Sequence, residues 1–170
     1  GINRVDSQDI GVQFYSKEKK EFSFKGRNYE IGGDINIAHS VRLRDRAYTL
    51  VLNADAMGKS IQGAGGVLVL GSLVRAIIER TRISPVEKNY FPERWLKNAV
   101  NEIQLVFESF NGSMLVSLVM GLLDDESGFF YFVNSEHPAP VLYRDGKASF
   151  LDTTLSTRKI GTAGTRLDIR

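Results

Sequence analysis

NADAMGKSIQGAGG, residues 53–66, joins an apolar alternating run to a stretch of small residues, and its reading decides the fold. Gly58-Lys59-Ser60 invites comparison with a nucleotide-binding P-loop. That motif, G-x-x-x-x-G-K-[ST], needs a glycine five positions before Gly58 so that backbone N–H groups can wrap phosphates. Asn53 stands there instead, and Asp55 puts a negative charge where phosphate would crowd in. The flanking pattern does not predict a parallel βαβ unit either, so the P-loop reading fails. What remains is an aspartate at the end of a hydrophobic strand, then a glycine turn and a small-residue helix. A carboxylate projecting from a sheet edge can bind a hard cation. A second one, Asp34, follows Gly32-Gly33 on a neighbouring candidate strand. From spacing alone, two readings stay open: a divalent-metal site, or two turn-forming aspartates.

The rest of the chain supplies the scaffold. IGVQFYS (10–16), EFSFKG (21–26) and RAYTLVLNADA (46–56) alternate apolar and polar residues, as half-buried strands do. NYEIGGDINIAHSV (28–41) reads as one strand interrupted at Gly32-Gly33, where glycine marks a bulge or a close backbone approach. From Ala64 to Arg80, the set Val67, Leu70, Val74, Ile77 and Ile78 keeps helical spacing. Ser84-Pro85-Val86-Glu87 then places a cap, a first-turn proline and a capping-box glutamate in register. Pro92 restarts a helix whose buried face carries Trp95, Ala99, Ile103 and Phe107. SMLVSLVMGLLD and FFYFVNS flank a DDESG turn, and PVLYRDGKASFL forms a second hairpin around Asp145-Gly146. Strands, helices, then strands again predict an α+β domain with mainly antiparallel sheet.

The chain's 170 residues carry no repeat or linker, which predicts one domain over 1–170. Composition narrows the chemistry. The formal net charge is +2, too small to argue for nucleic acid. The basic clusters at 17–20 and 42–46 are broken by Glu18 and Asp45 and read as solvated surface. The absence of cysteine removes disulfides, thiolate metal sites and cysteine nucleophiles, and fits a cytoplasmic protein. The longest apolar run, Gly63 to Val74, falls short of the roughly 20 residues a bilayer span needs, so no membrane insertion is expected.

Three stretches carry a family resemblance: IGGDIN (31–36), NADAMGKSIQGAGG (53–66) and VNSEHPAPVLYRDG (133–146). In that order, with two helices before the last, they resemble the SpoIIE-type serine phosphatases. These are the bacterial branch of the metal-dependent PPM (protein phosphatase 2C-like) superfamily. The resemblance implies two packed, mainly antiparallel sheets flanked by helices. It implies hydrolysis of phosphoserine or phosphothreonine on a protein in bacterial signalling, with two Mn²⁺ or Mg²⁺ ions. Asp55 would bridge the metals, the Ala56 carbonyl would complete one of them, and Asp34 would bind a metal directly or through its water. Paired metals would lower the pKa of a shared water to give the attacking hydroxide. An anti-sigma-factor antagonist is the substrate that the resemblance points to, and it admits a homodimer.

The sequence also departs from that pattern. Ile35-Asn36-Ile37 stand where an aromatic residue and a further aspartate are usual, Ser60 replaces a glycine, and Glu136 a small residue. Two more metal-binding aspartates would follow a stretch like KIGTAGTRLDIR (159–170), so the domain is expected to continue past Arg170. A degenerate member is the other reading: a pseudophosphatase that binds a phosphoprotein without hydrolysing it. Gly32-Gly33-Asp34 also suggests a diguanylate cyclase motif, but Ile35-Asn36 lack the acidic residue that chemistry needs. His137 could serve as a ligand or general acid, but between Glu136 and Pro138 at a strand end it reads first as a hydrogen-bonding histidine, and His39 carries less signal still. Asp124 and Asp125 fall in a predicted hairpin turn, where aspartate bonds its own backbone. Lys59 is a candidate for drawing phosphate to the metal edge. The small-residue helix from Gly63 to Gly71 would, by family analogy, couple partner binding to assembly of the metal site.

Overall fold

The computed structural model describes residues 10–15, 21–24, 27–30, 32–57, 61–151 and 157–166. Within them, strands β1 (Glu21–Phe24), β2 (Arg27–Glu30), β3 (Asp34–Leu43) and β4 (Arg46–Ala56) precede three helices, α1 (Ile61–Ile83), α2 (Pro85–Lys88) and α3 (Pro92–Glu108). Four more strands follow: β5 (Val116–Asp124), β6 (Phe130–Ser135), β7 (Val141–Arg144) and β8 (Lys147–Phe150). The architecture is α+β, and its sheets are antiparallel, as expected. β3-β4-β5-β6 form a four-stranded sheet, while β1-β2 and β7-β8 are two-stranded hairpins.

The four-stranded sheet sorts its side chains by alternation. One face carries Ile35, Ile37, Val41 and Leu43 from β3, Leu50 and Leu52 from β4, and Leu118, Met120 and Leu122 from β5, all buried. Both long helices cover this face, α1 over β3 and β4, α3 over β5 and β6. Leu70, Val74, Ile77 and Ile78 of α1 and Trp95, Ala99, Ile103 and Phe107 of α3 are buried in the same core. The opposite face begins with Asp34 and Asp55 at one end of β3 and β4, and it carries the candidate site.

Turn chemistry sets the register. Arg44 and Asp45, the two residues between β3 and β4, both have positive φ (49° and 63°), the hairpin geometry that suits strand twist. Arg44 is held there by its N–H donating to the Lys88 carbonyl, 2.7 Å, and by its guanidinium 4.0 Å over the Phe91 ring. The register that follows places Asp34 opposite Asp55.

Three readings need correction. Residues 10–15 form no strand: their alternation is right, but a strand exists only as part of a ladder, and among the described residues none receives them. Residues 28–41 do break around Gly32-Gly33, but the halves are two strands in different sheets, β2 beside β1 and β3 beside β4. Ser84 does cap α2, its hydroxyl accepting from the Glu87 N–H at 3.2 Å. The return half of the capping box is missing, because the Ser84 N–H donates to the Arg80 carbonyl and the Glu87 carboxylate takes Arg80 and Thr81 instead. Among the described residues, no helix is long and apolar enough to cross a membrane.

Candidate active site

Asp34 and Asp55 are cross-strand partners, and the ladder brings their side chains close. The Ala56 N–H donates to the Gly33 carbonyl at 2.8 Å, which makes Gly33·Ala56 a hydrogen-bonded pair. The next pair, Asp34·Asp55, is therefore of the non-hydrogen-bonded kind, in which side chains lie closer. Cβ atoms in such pairs are roughly 4.5–5.5 Å apart, and like charges so placed repel. Burial raises the Asp34 carboxyl above the usual range, the Asp55 charge raises it further, and His137 pulls it back.

Gly33 completes this corner by having no side chain. A Cβ there would lie 2.3 Å from the Ala56 carbonyl oxygen and 2.9 Å from Asp55 Oδ1. Two oxygens thus border the point that a side chain would fill, and Asp34 is the cross-strand partner of the residue that supplies one of them. That donor set, two carboxylates and a neutral backbone carbonyl, is all oxygen, the chemistry of a hard divalent cation. The fit is partial: among the described residues, no group of three or more His, Cys, Asp or Glu side chains converges.

One row further in, polar contacts replace charge. Asn53 Nδ2 donates to Asn36 Oδ1 at 2.7 Å across the Asn36·Asn53 pair. His137, in the loop after β6, places Nε2 on Asn53 Oδ1 and Nδ1 on the Ser117 hydroxyl at 3.0 Å. With Oδ1 as acceptor, Nε2 carries the hydrogen. Ser117 itself lies opposite Asp55 on β5. Burial holds the His137 ring below its ordinary pKa, although the Asp55 and Asp34 charges and the backbone of Ser117 pull the other way. The loop is fixed by Asn134, whose side chain accepts from the His137 N–H at 2.8 Å and donates to the His137 carbonyl at 2.9 Å. Glu136, at φ 47°, pairs with Lys159 at 2.8 Å. Beside this row lies a cavity of about 570 Å³, bordered by Val12, Phe14, Val119, Phe130 and Pro140.

The remaining sequence expectations resolve individually. Lys59, with Gly58 and Ser60, lies outside the described residues. Ala56 sits buried at the end of β4, and a Cβ on Gly66 of α1 would lie 2.8 Å from the Ala56 Cβ, so helix and strand end touch there. Asp124 bonds the turn backbone, as expected, whereas the Asp125 side chain reaches across to β4 instead. Asp124 Oδ1 accepts from the N–H groups of Glu126 and Ser127, and Asp125 accepts from the Thr49 hydroxyl. His39 bonds the Ser40 carbonyl, on the helix-covered side of the sheet. Asn36, Asn53, Ser117 and Asn134 were not singled out as site residues from the sequence. Asn134 alone had a local signal, lying three residues before His137.

An antiparallel α+β domain with opposed strand-end carboxylates describes a class, and comparison with known proteins narrows it. The chain belongs to the stage II sporulation protein E (SpoIIE) family, whose model matches residues 45–167. Asp55 and Ala56 fall inside that span and Asp34 precedes it. Among solved structures, the crystal structure of the RsbU and RsbW domains of Rv1364c from Mycobacterium tuberculosis shares the fold. Its TM-score is 0.53 at 22% identity, over 78% of this chain and 33% of that one. The chain thus spans about a third of the length of that relative. No curated protein matches it.

Proposed function

We propose that this domain is a protein serine/threonine phosphatase of bacterial signalling that works with Mn²⁺ or Mg²⁺. Asp55 and Asp34 would hold the ions, and the Ala56 carbonyl would complete the coordination of one. The observation that carries the reading is the forced approach of two carboxylates at a corner that Gly33 keeps open. A fold does not place like charges face to face without a cost, and a cation between them removes it. Bound divalent ions supply Lewis acidity and a water of lowered pKa. The chain's own residues do the rest. Asp55 and Asp34 supply negative charge at the strand ends, and Gly33 keeps the approach open. The Asn36-Asn53-His137 row holds the two strands in register behind them. Lys59 is proposed to draw the phosphate toward this edge. The contact of Gly66 with Ala56 gives helix α1 a means to couple partner binding to the site.

The substrate is proposed to be a phosphorylated cytoplasmic protein, with an anti-sigma-factor antagonist as the family-based choice. A second reading has one specific observation in its favour. Ile35 and Ile37, in the stretch where the family pattern has an aromatic residue and a further aspartate, are buried in the core and offer no ligand to a metal. On that reading the domain binds a phosphoprotein without turnover. Phosphate release from phosphoserine peptides by the full natural chain, with and without Mn²⁺, separates the two. Release that requires the metal supports the phosphatase, and retention of the peptide without release supports the binding module.

A further inference from the structure

Behind the carboxylate pair, hydrogen bonds run in one direction across three strands. Asn53 Nδ2 donates to Asn36 Oδ1 on β3, which leaves Asn53 Oδ1 on β4 to accept from His137 Nε2, and in the neutral ring Nδ1 then accepts from the Ser117 hydroxyl of β5. Each group has one role left once its neighbour is set: an Nε2-protonated ring fixes which way the Asn53 amide faces, and that amide fixes the Asn36 oxygen. The backbone that carries the ring is fixed by Asn134, which bonds both the His137 N–H and its carbonyl. The chain ends on the pair next in line after Asp34·Asp55, on the same face of the same two strands.

We infer that His137 is a positioning residue for the carboxylate pair, acting through Asn53 and Asn36 to hold the ends of β3 and β4 at the separation a divalent ion requires. The inference rests on the reading of Asp34 and Asp55 as the metal-holding pair. It gives the loop after β6 a task in the site although none of its atoms need touch the ion. Residues that orient metal ligands from behind commonly change metal affinity by about 10–100-fold when lost.

The test is Mn²⁺ affinity by calorimetry in the full natural chain, with melting temperatures measured without metal. Wild type, Asp55→Asn, His137→Ala, His137→Gln, Asn53→Ala and the His137→Ala/Asn53→Ala double variant are compared. We expect His137→Ala and Asn53→Ala each to weaken Mn²⁺ binding roughly tenfold or more. The double variant should be no weaker than either, since both break one chain. His137→Gln, whose amide N–H can stand in for Nε2, should recover most of the affinity. A histidine that merely stabilises the fold would lower the metal-free melting temperature and leave Mn²⁺ affinity at the wild-type level. That result, or additive losses in the double variant, would overturn the inference. Should His137→Ala not fold, wild-type affinity in Asn53→Ala overturns it equally. If wild type itself takes up no Mn²⁺, or Asp55→Asn binds it as wild type does, the metal-site reading fails and this inference with it.

Discussion

Gly33 shows how much of the corner depends on one missing methyl group. The atom nearest its absent Cβ is a backbone oxygen, that of Ala56 at 2.3 Å, which cannot swing aside as a flexible side chain could. Gly33→Ala is therefore expected to push the start of β3 away from β4, at a cost of about 1–3 kcal/mol, and to weaken divalent-ion binding. Gly11→Ala, with nothing within 4 Å, is the matched control and should be neutral. Urea unfolding of both variants checks this. The strand-end placement of Asp34 and Asp55 was legible in the sequence, because a carboxylate at the end of an alternating run has a local signature. Their pairing was not, because register depends on the Arg44-Asp45 turn and on which strands become neighbours. The same holds for Asn36, Asn53 and Ser117, which lie on three strands and meet at His137 only in the folded sheet.

Between elements, two contacts govern where the helices sit. Gly66 lets α1 rest on the end of β4, with its absent Cβ only 2.8 Å from the Ala56 Cβ. Gly66→Leu is expected to lift the helix from the strand end and to change folding or regulation; a variant unchanged in both would remove the proposed coupling through α1. The second contact joins all three helices. Trp95 Nε1 of α3 donates to the Thr81 hydroxyl of α1 at 2.8 Å, and that hydroxyl also meets the Ile77 carbonyl and the Glu87 carboxylate of α2. Thr81→Val keeps the volume and leaves a buried indole N–H without an acceptor, at an expected cost of about 1–3 kcal/mol in thermal or urea unfolding. Periodicity made α1, α3, β4 and the β5-β6 hairpin readable, since each shows its period over many residues. It misled at residues 10–15, where alternation is present but no strand among the described residues completes a ladder, and the capping-box spacing misled at Glu87, whose carboxylate finds Arg80 and Thr81 in another helix.

Across the whole molecule, the sheet is tied together at the end remote from the site by Asp124, which is 4% exposed. Burial works to raise its carboxyl, but the N–H groups of Ser127 and Glu126 and the Arg46 guanidinium outweigh it and hold it below the usual range. A carboxylate held low in the native state stabilises the fold above its unfolded pKa of about 4, and that contribution is lost as pH falls through the native value. Asp124→Ala should therefore cost about 1–3 kcal/mol at neutral pH, with the gap from wild type narrowing below about pH 4. Urea titrations at pH 7 and pH 3 read this directly. At this scale the α+β class and the antiparallel sheet were legible from the order of periodic segments, whereas the division into one four-stranded sheet and two hairpins was not, because pairing across long separations leaves no local trace. Family membership and fold meet at a single chemical claim, that the Asp34-Asp55 corner works with divalent ions to cleave a phosphate ester. Hydrolysis of a generic aryl phosphate by the full natural chain, with Mn²⁺ and beside its Asp55→Asn variant, tests it most directly. Turnover that depends on Mn²⁺ and falls to background in Asp55→Asn is the expected result. A folded, metal-supplied protein without turnover, or an Asp55→Asn variant as active as wild type, would contradict it.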